Sequence, residues 1–506
     1  MLYGDWIGRH GRSCPDREAL VDIIGNRRYT YGQWAKDVYR MVHFLISLGI
    51  QEGDRVAVLS FNRLEYLTLF FATSRLGAIL VPLNTRLAPR EFTYYLEDSS
   101  PIALFFDQDH QAIVEKMKMT MSIEHPVCFD RNEAVGRSLA FLWENLSPEA
   151  PPEVDHEPND PQFIIYTSGT TGYPKGVVQT YGMITWNAIN TNIGWGLRPE
   201  DRTVLHSSLF YTAGWNVFTL PLIHLRATNV LVKGFDADLI LDLIARERLT
   251  LFFGVPTMFQ MLLESPRFDR TDFSSIRFLV SGGAPLPKKI IEQYQARKGI
   301  RLWEGFGLTE VGPNNFMANG KPGTVGNPMP HVDVKVVDSQ GREVPRGQEG
   351  ELLLRGDHVC GGYWRKPEET AEAIRGGWFH TGDLARMDED GHVAIVGRKR
   401  DMIISGGINI YPAEVERAIE NHPAVAAAAV IGVPDEKWGE VGKAFLEMKP
   451  GEKITLEELQ AFLGERLGKY KIPKYAVLVK ELPRTPASGK IQKFILKEKH
   501  GKADNE

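Results

Sequence analysis

The stretch that decides the reading is Tyr166-Thr167-Ser168-Gly169-Thr170-Thr171-Gly172-Tyr173-Pro174-Lys175-Gly176. It follows the apolar run Phe163-Ile164-Ile165, which reads as a short buried strand, so the loop leaves a sheet in a fixed direction. Glycines let several backbone N–H groups turn into one concavity, and Thr167, Ser168, Thr170 and Thr171 add hydroxyl donors, a combination suited to a polyphosphate. Lys175 supplies a compact positive charge just after Pro174, which stiffens the exit. A Ser/Thr/Gly-rich surface turn has the same composition; the buried strand before the loop and the apolar segment after it favour the phosphate reading. The Gly-Lys-Ser/Thr ending of a Walker loop is absent, which argues against a P-loop NTPase fold.

Downstream segments extend the pattern. Trp303-Glu304-Gly305-Phe306-Gly307-Leu308-Thr309-Glu310 sets an aromatic ring on a glycine-flanked loop, where it can lie flat on a purine, with a hard carboxylate nearby that suits a divalent cation. Phe278-Leu279-Val280-Ser281-Gly282-Gly283-Ala284 is a strand running into a glycine turn. In Gly377-Trp378-Phe379-His380-Thr381-Gly382-Asp383 the aspartate is an acceptor-only group able to take two donors from a vicinal diol.

Taken in chain order, these segments closely resemble those of the adenylate-forming superfamily: acyl-CoA synthetases, peptide-synthetase adenylation domains and beetle luciferases. The resemblance runs from the first hairpin to Lys490. It implies an α/β fold with a large N-terminal domain of stacked sheets (residues 1–400), a small β-rich subdomain and a mobile α+β C-terminal domain (residues 401–506). It implies that Thr167, Ser168, Gly169, Thr170, Thr171, Gly172 and Lys175 hold the phosphates of ATP. Gly283 and Ala284 would line the adenine, with Phe306 stacked on it between Gly305 and Gly307; Thr309 and Glu310 would stand at the catalytic position, Glu310 holding Mg²⁺. Asp383 would bind the ribose hydroxyls and Arg398 the ribose or phosphate. Asp401 is the implied hinge, Gly406 and Gly407 leave room for the pantetheine arm of CoA, and Lys490 in Pro486-Ala487-Ser488-Gly489-Lys490 is the implied catalytic lysine. Ile408 stands where relatives mostly carry glutamate, so any role of that acid is absent.

The implied reaction is ATP-dependent formation of an acyl-adenylate, release of pyrophosphate and transfer of the acyl group to CoA. Tyr211, Ala213, Gly214 and Trp215 fall in the substrate segment, and Trp186, Phe253 and Met258 add apolar surface for an acyl pocket. Amino-acid adenylation domains usually carry aspartate where Tyr211 stands, and many acyl-CoA synthetases carry histidine. An amino-acid substrate is therefore disfavoured, since its buried ammonium would have no counter-charge. The expected substrate is a medium- or long-chain fatty acid, with an aryl or arylalkanoic acid as the alternative. A luciferase-like oxygenase and a nucleotide or acyl sensor that has lost turnover are the competing functions. Too little sequence follows Lys490 for a carrier-protein domain, so free CoA is the expected acceptor.

Composition sets the outer bounds. At 506 residues, 43% hydrophobic and 24% charged, the chain has room for several structural units. A net charge of −5 gives no reason to expect nucleic acid. The three cysteines are far apart and show no paired spacing, and no signal peptide or membrane span is expected, so the reading is a cytoplasmic enzyme, with a homodimer left open. Local patterns predict a hairpin over residues 19–30 and a helix capped by Thr30 and stopped at Gly49. Alternating strands and helices then predict a mostly parallel, covered sheet, and the last hundred or so residues a strand-helix-strand-helix unit ending in a charged tail.

Overall fold

A computed structural model of the chain describes residues 3–87, 89–119, 123–152, 154–167, 174–405, 408–485, 489 and 491–501. It divides into two compact units: residues 1–320, 327–333 and 354–379, and residues 321–326, 334–353 and 380–506. Among the described residues no helix is long and apolar enough to cross a membrane.

The first unit contains strands β1 (Glu18–Asp22), β2 (Arg27–Thr30), β3 (Arg55–Leu59), β4 (Ile79–Pro82), β5 (Ala103–Phe106), β6 (His125–Cys128), β7 (Arg137–Ser138), β8 (Pro161–Thr167), β9 (Lys175–Thr180), β10 (Arg202–Leu205), β11 (Thr228–Leu231), β12 (Leu251–Gly254), β13 (Phe278–Ser281) and β14 (Leu302–Glu304). They form two seven-stranded sheets, ordered β7-β6-β5-β3-β4-β8-β9 and β14-β13-β12-β10-β11-β1-β2. Each is parallel except for one antiparallel edge strand, β9 against β8 and β2 against β1. The predicted hairpin is therefore present, but β1 also pairs in parallel with β11, a partner that no local pattern identifies.

Between the sheets lie α2 (Tyr31–Ser47) and α3 (Leu64–Leu76), which follow the short α1 (Trp6–Ser13). Thr30 caps α2 through a reciprocal capping box with Gln33. α3 is apolar on nearly every face, and its residues from Leu64 to Arg75 are almost all buried, as befits a helix enclosed on all sides. Val56, Val58 and Phe163 of one sheet and Leu20, Leu205 and Leu231 of the other join the two helices in one apolar cluster. Phe70 stacks on Phe163, with centroids 4.5 Å apart.

In both sheets the strand order reverses next to a central strand, β3 and β10. In open α/β sheets such switch points open a crevice outside the carboxyl ends of the strands. The segments after β10, β12, β13 and β14 contain most of the predicted acyl and adenine residues.

In the second unit the long strand Gly439–Met448 pairs with Val425–Asp435 along its length and in parallel with Tyr475–Val479. The hairpin Ile403–Ser405/Ile408–Ile410 joins at Gly439. Period-two alternation in Val425–Asp435 sends Ala428 and Val430 to one core, with the helices Pro412–Glu420 and Leu456–Gly464, while Ala429 and Ile431 face the other, with Leu496 of the helix Lys493–His500. This sheet has more strands than the expected strand-helix-strand-helix pattern: the Val425–Met448 region, mostly small and β-branched residues, folds as a hairpin of two long strands.

Candidate active site

In the first unit the phosphate-loop stretch is anchored at both ends. Thr167 closes β8, Lys175 opens β9, and the two residues are Cα partners. Ser168, Gly169, Thr170, Thr171 and Gly172 lie outside the described residues. Residues 360–364 run alongside β9: Gly361 N donates to Val178 O at 2.9 Å, Val178 N to Gly362 O at 2.9 Å, and Trp364 N to Gly176 O at 2.7 Å. This brings Tyr363 under Lys175, whose ammonium lies 5.0 Å from the centre of the phenol ring. The Tyr363 hydroxyl donates to Glu310 Oε1 at 3.1 Å. The same segment holds the Glu310 main chain, with Cys360 N donating to Glu310 O at 2.7 Å. Two residues predicted from separate motifs are thus joined by a third that sequence reading did not single out.

The purine segment is shaped by its glycines. Gly305 N donates to Ser281 O at 2.7 Å, tying the turn after β14 to the end of β13. A Cβ on Gly307 would lie 2.3 Å from the Pro313 carbonyl oxygen, so no other residue fits. Gly283 has φ +80° and starts the turn that carries half-buried Ala284. Phe306 is half-buried, in edge contact with Phe316 at 5.9 Å, and keeps part of its ring surface open. Thr309 and Glu310 form a short 3₁₀ turn.

Behind that turn is a buried amide network. Gln179 Nε2 donates to Thr309 O at 3.0 Å and to Thr212 Oγ1 at 3.1 Å, while its Oε1 accepts from Asn216 Nδ2 at 2.9 Å. Asn216 O in turn accepts from Asn187 and Asn314. The network ties the Glu310 turn to the substrate segment. Burial pushes the Cys360 thiol up to about 12, so it stays protonated beside Glu310 at neutral pH.

The substrate segment divides by burial. Tyr211 and Ala213 are half-buried, and the Tyr211 hydroxyl accepts from Asn84 Nδ2 at 3.3 Å. Trp215 is fully buried against Tyr66, Phe70 and Phe163 and donates its indole N–H to Leu209 O, which makes it a core residue. Gly214 is buried too, and a Cβ there would meet the Ser208 carbonyl oxygen at 2.6 Å. Phe253 and Met258 are half-buried at and after the end of β12, whereas Trp186 packs against His331.

In the second unit Asp383 and Arg398 are Cα partners across the strands Trp378–Met387 and Val393–Arg398, with Arg398 Nε 2.9 Å from Asp383 Oδ1. Asp401 ends a short 3₁₀ turn just before the hairpin at 403–410. Gly406, Gly407 and Lys490 lie outside the described residues.

The sequence pattern of the AMP-binding enzyme family matches residues 8–364, and that of the AMP-binding enzyme C-terminal domain matches residues 414–490. The chain belongs to the AMP-binding enzyme family. Within that family it is similar to a feruloyl-CoA synthase of Amycolatopsis sp (38% identical, covering 98% of this chain and 99% of that protein). It is also similar to a long-chain-fatty-acid–CoA ligase of Mycobacterium tuberculosis (34% identical, 98% of each). Among solved structures, ATP-bound MatB from Rhodopseudomonas palustris superposes with a TM-score of 0.90 at 32% identity, covering 99% of each chain. The chain is thus an acid–thiol ligase of the AMP-forming, acyl-CoA synthetase type.

Sequence reading missed Tyr363, Gln179, Thr212, Asn216 and Asn84. The one local signal was the run Gly361-Gly362-Tyr363-Trp364, two glycines followed by two aromatics. Gly362 has φ +104°, and a Cβ there would meet Thr370 Cγ2 at 2.4 Å, so the backbone before Tyr363 requires glycine.

Proposed function

We propose that this AMP-binding enzyme activates an aryl or arylalkanoic carboxylic acid with ATP and transfers the acyl group to CoA. The observation that carries the reading is the convergence of Lys175 and Glu310 on Tyr363, at 5.0 and 3.1 Å, with Glu310 in the turn that follows the glycines at 305–307. A cation for phosphate, a hard carboxylate and an open aromatic face are the groups an adenylation site needs.

In the first step a substrate carboxylate oxygen attacks the α-phosphorus of ATP. One P–O bond forms, the bond to pyrophosphate breaks, and the products are acyl-adenylate and pyrophosphate. Lys175 and the loop before it hold the phosphates, Phe306 stacks on the adenine, and Asp383 takes the ribose hydroxyls with Arg398 beside it. Glu310 is the candidate Mg²⁺ ligand: it is a half-buried, ionisable oxygen donor oriented by a hydrogen bond, which suits a hard cation. When bound, Mg²⁺ supplies charge neutralisation on the phosphates. Lys490 approaches the α-phosphate in this step; the C-terminal domain then turns about Asp401, and the glycines at 406–407 admit the CoA thiol. The thiol sulfur attacks the acyl carbon, AMP leaves, and the thiol proton goes to solvent. The reaction belongs in the cytoplasm, which supplies ATP and CoA.

The choice of acid rests on likeness to the feruloyl-CoA synthase, 38% against 34% for the long-chain ligase, and on the half-buried Tyr211 after β10, Phe253 in β12 and Met258 after it. Trp215 and Gly214 are not part of the proposed pocket. A medium- or long-chain fatty acid is the second reading, favoured by the long-chain relative. A CoA-dependent screen of hydroxycinnamic, phenylacetic and C8–C16 fatty acids, with thioester as readout, separates them. The highest kcat/KM should fall on an aromatic acid; turnover confined to aliphatic acids would reverse the order.

A further inference from the structure

Tyr363 belongs to none of the motifs that led to the site, yet it touches two of them. Its main chain is fixed by a bridge to Val177 on β9 and by a hydrogen bond from Tyr363 N to Thr370 Oγ1 at 2.9 Å. The next residue, Trp364, donates its indole N–H to Asp98 O at 3.1 Å. The ring therefore has little freedom to move.

We infer that Tyr363 is a positioning residue with two separable parts: its hydroxyl aims the Glu310 carboxylate at the divalent cation that accompanies ATP, and its ring face sets the Lys175 ammonium toward the phosphates. The inference rests on the reading that Glu310 meets the cation and Lys175 the phosphates. A carboxylate on a half-exposed turn samples several rotamers, and a hydrogen bond from a rigid phenol selects one. A lysine loses much of its conformational freedom when held over an aromatic face, and the preorganised ammonium then binds phosphate with less ordering still to do.

The two parts respond to different substitutions. Tyr363→Phe keeps the ring and removes the hydroxyl. Tyr363→Leu removes both. The test is an Mn²⁺ titration of the purified full chain, followed by electron paramagnetic resonance, with α,β-methylene-ATP present; binding of that analogue without metal and thermal unfolding are measured alongside, and Glu310→Gln is the reference. Tyr363→Phe should weaken Mn²⁺ binding about tenfold, in line with the loss of one hydrogen bond to a charged group. Metal-free analogue binding and melting temperature should stay at wild-type values. Tyr363→Leu should weaken metal-free analogue binding as well. If Tyr363→Phe binds Mn²⁺ like the wild type while Glu310→Gln does not, the inference is wrong and the role of Glu310 stands. If neither variant changes Mn²⁺ binding, both are wrong. If Tyr363→Phe loses metal affinity, analogue affinity and melting temperature together, the tyrosine is only structural and the inference also fails.

Discussion

The side-chain amide of Gln179 donates to the main-chain carbonyl of Thr309 at 3.0 Å, so the strand that begins with Lys175 also holds the turn that carries Glu310. Gln179→Leu takes one hydrogen bond each from that half-buried carbonyl, the Thr212 hydroxyl and the Asn216 amide, the last two keeping the bond between them at 3.0 Å. Such losses cost about 2–3 kcal/mol in total, allowing for local relaxation. Gln179→Glu keeps an acceptor for Asn216 but has no proton to give Thr309. Both variants should slow single-turnover adenylate formation more than they raise KM for the acid, and Gln179→Leu should also lower the melting temperature. Equal, unchanged rates in both would show that the network is only packing.

Asp383 faces Arg398 at 2.9 Å, with the aspartate side chain 4% exposed and the arginine 32%. Asp383→Asn keeps the volume but loses the charge and one of the two acceptors a ribose diol needs. KM for ATP should rise about tenfold, the usual size for a charge-assisted hydrogen bond, with KM for CoA little changed. Initial-rate kinetics with each substrate varied in turn checks this.

His206 gives the protein a defined acid sensitivity. Its ring Nε2 lies 2.6 Å from Phe253 O, and burial lowers its pKa to about 4 from a model-peptide value of 6.5. The unfolded chain therefore binds more protons than the folded one between pH 6.5 and 4. The neutral ring's contribution is fully present above pH 6.5 and is lost as pH falls toward 4, on the order of 3 kcal/mol over that window. Thermal unfolding of the wild type should drop steadily across it. His206→Gln, which does not titrate, should be less stable at pH 7.5 but show a shallower decline.

Tyr211 stands at the start of the substrate segment, and Asn84 Nδ2 donates to its hydroxyl at 3.3 Å. Tyr211→Phe breaks that tie between the loop after β4 and the substrate segment. The ratio of kcat/KM between an aromatic and an aliphatic acid should shift several-fold, while KM for ATP stays the same. A shift in ATP affinity with no change in acid preference would remove Tyr211 from the acyl site.

How much of this was readable in the sequence depended on distance along the chain. The glycine turns at 283 and 305–307 and the cap at Thr30 are set by neighbouring residues, so their patterns carried them. Tyr363 and Gln179 act across separations of 53 and 130 residues, through side-chain hydrogen bonds that leave no periodicity. Trp215 and Gly214 misled for the same reason: they adjoin Tyr211 in sequence, but the helix starting at Thr212 turns Trp215 toward Phe70 and Phe163. The parallel pairing of β1 with β11 was equally invisible, because an alternating strand does not specify its neighbour.

Acid-dependent exchange of labelled pyrophosphate into ATP tests most directly whether the site around Lys175, Tyr363, Glu310 and Phe306 adenylates a carboxylate. The wild type should catalyse exchange with at least one aromatic acid and without CoA, and Glu310→Ala should lose nearly all of it. A folded wild-type chain that binds ATP yet exchanges no pyrophosphate with any aromatic or aliphatic acid would contradict the account.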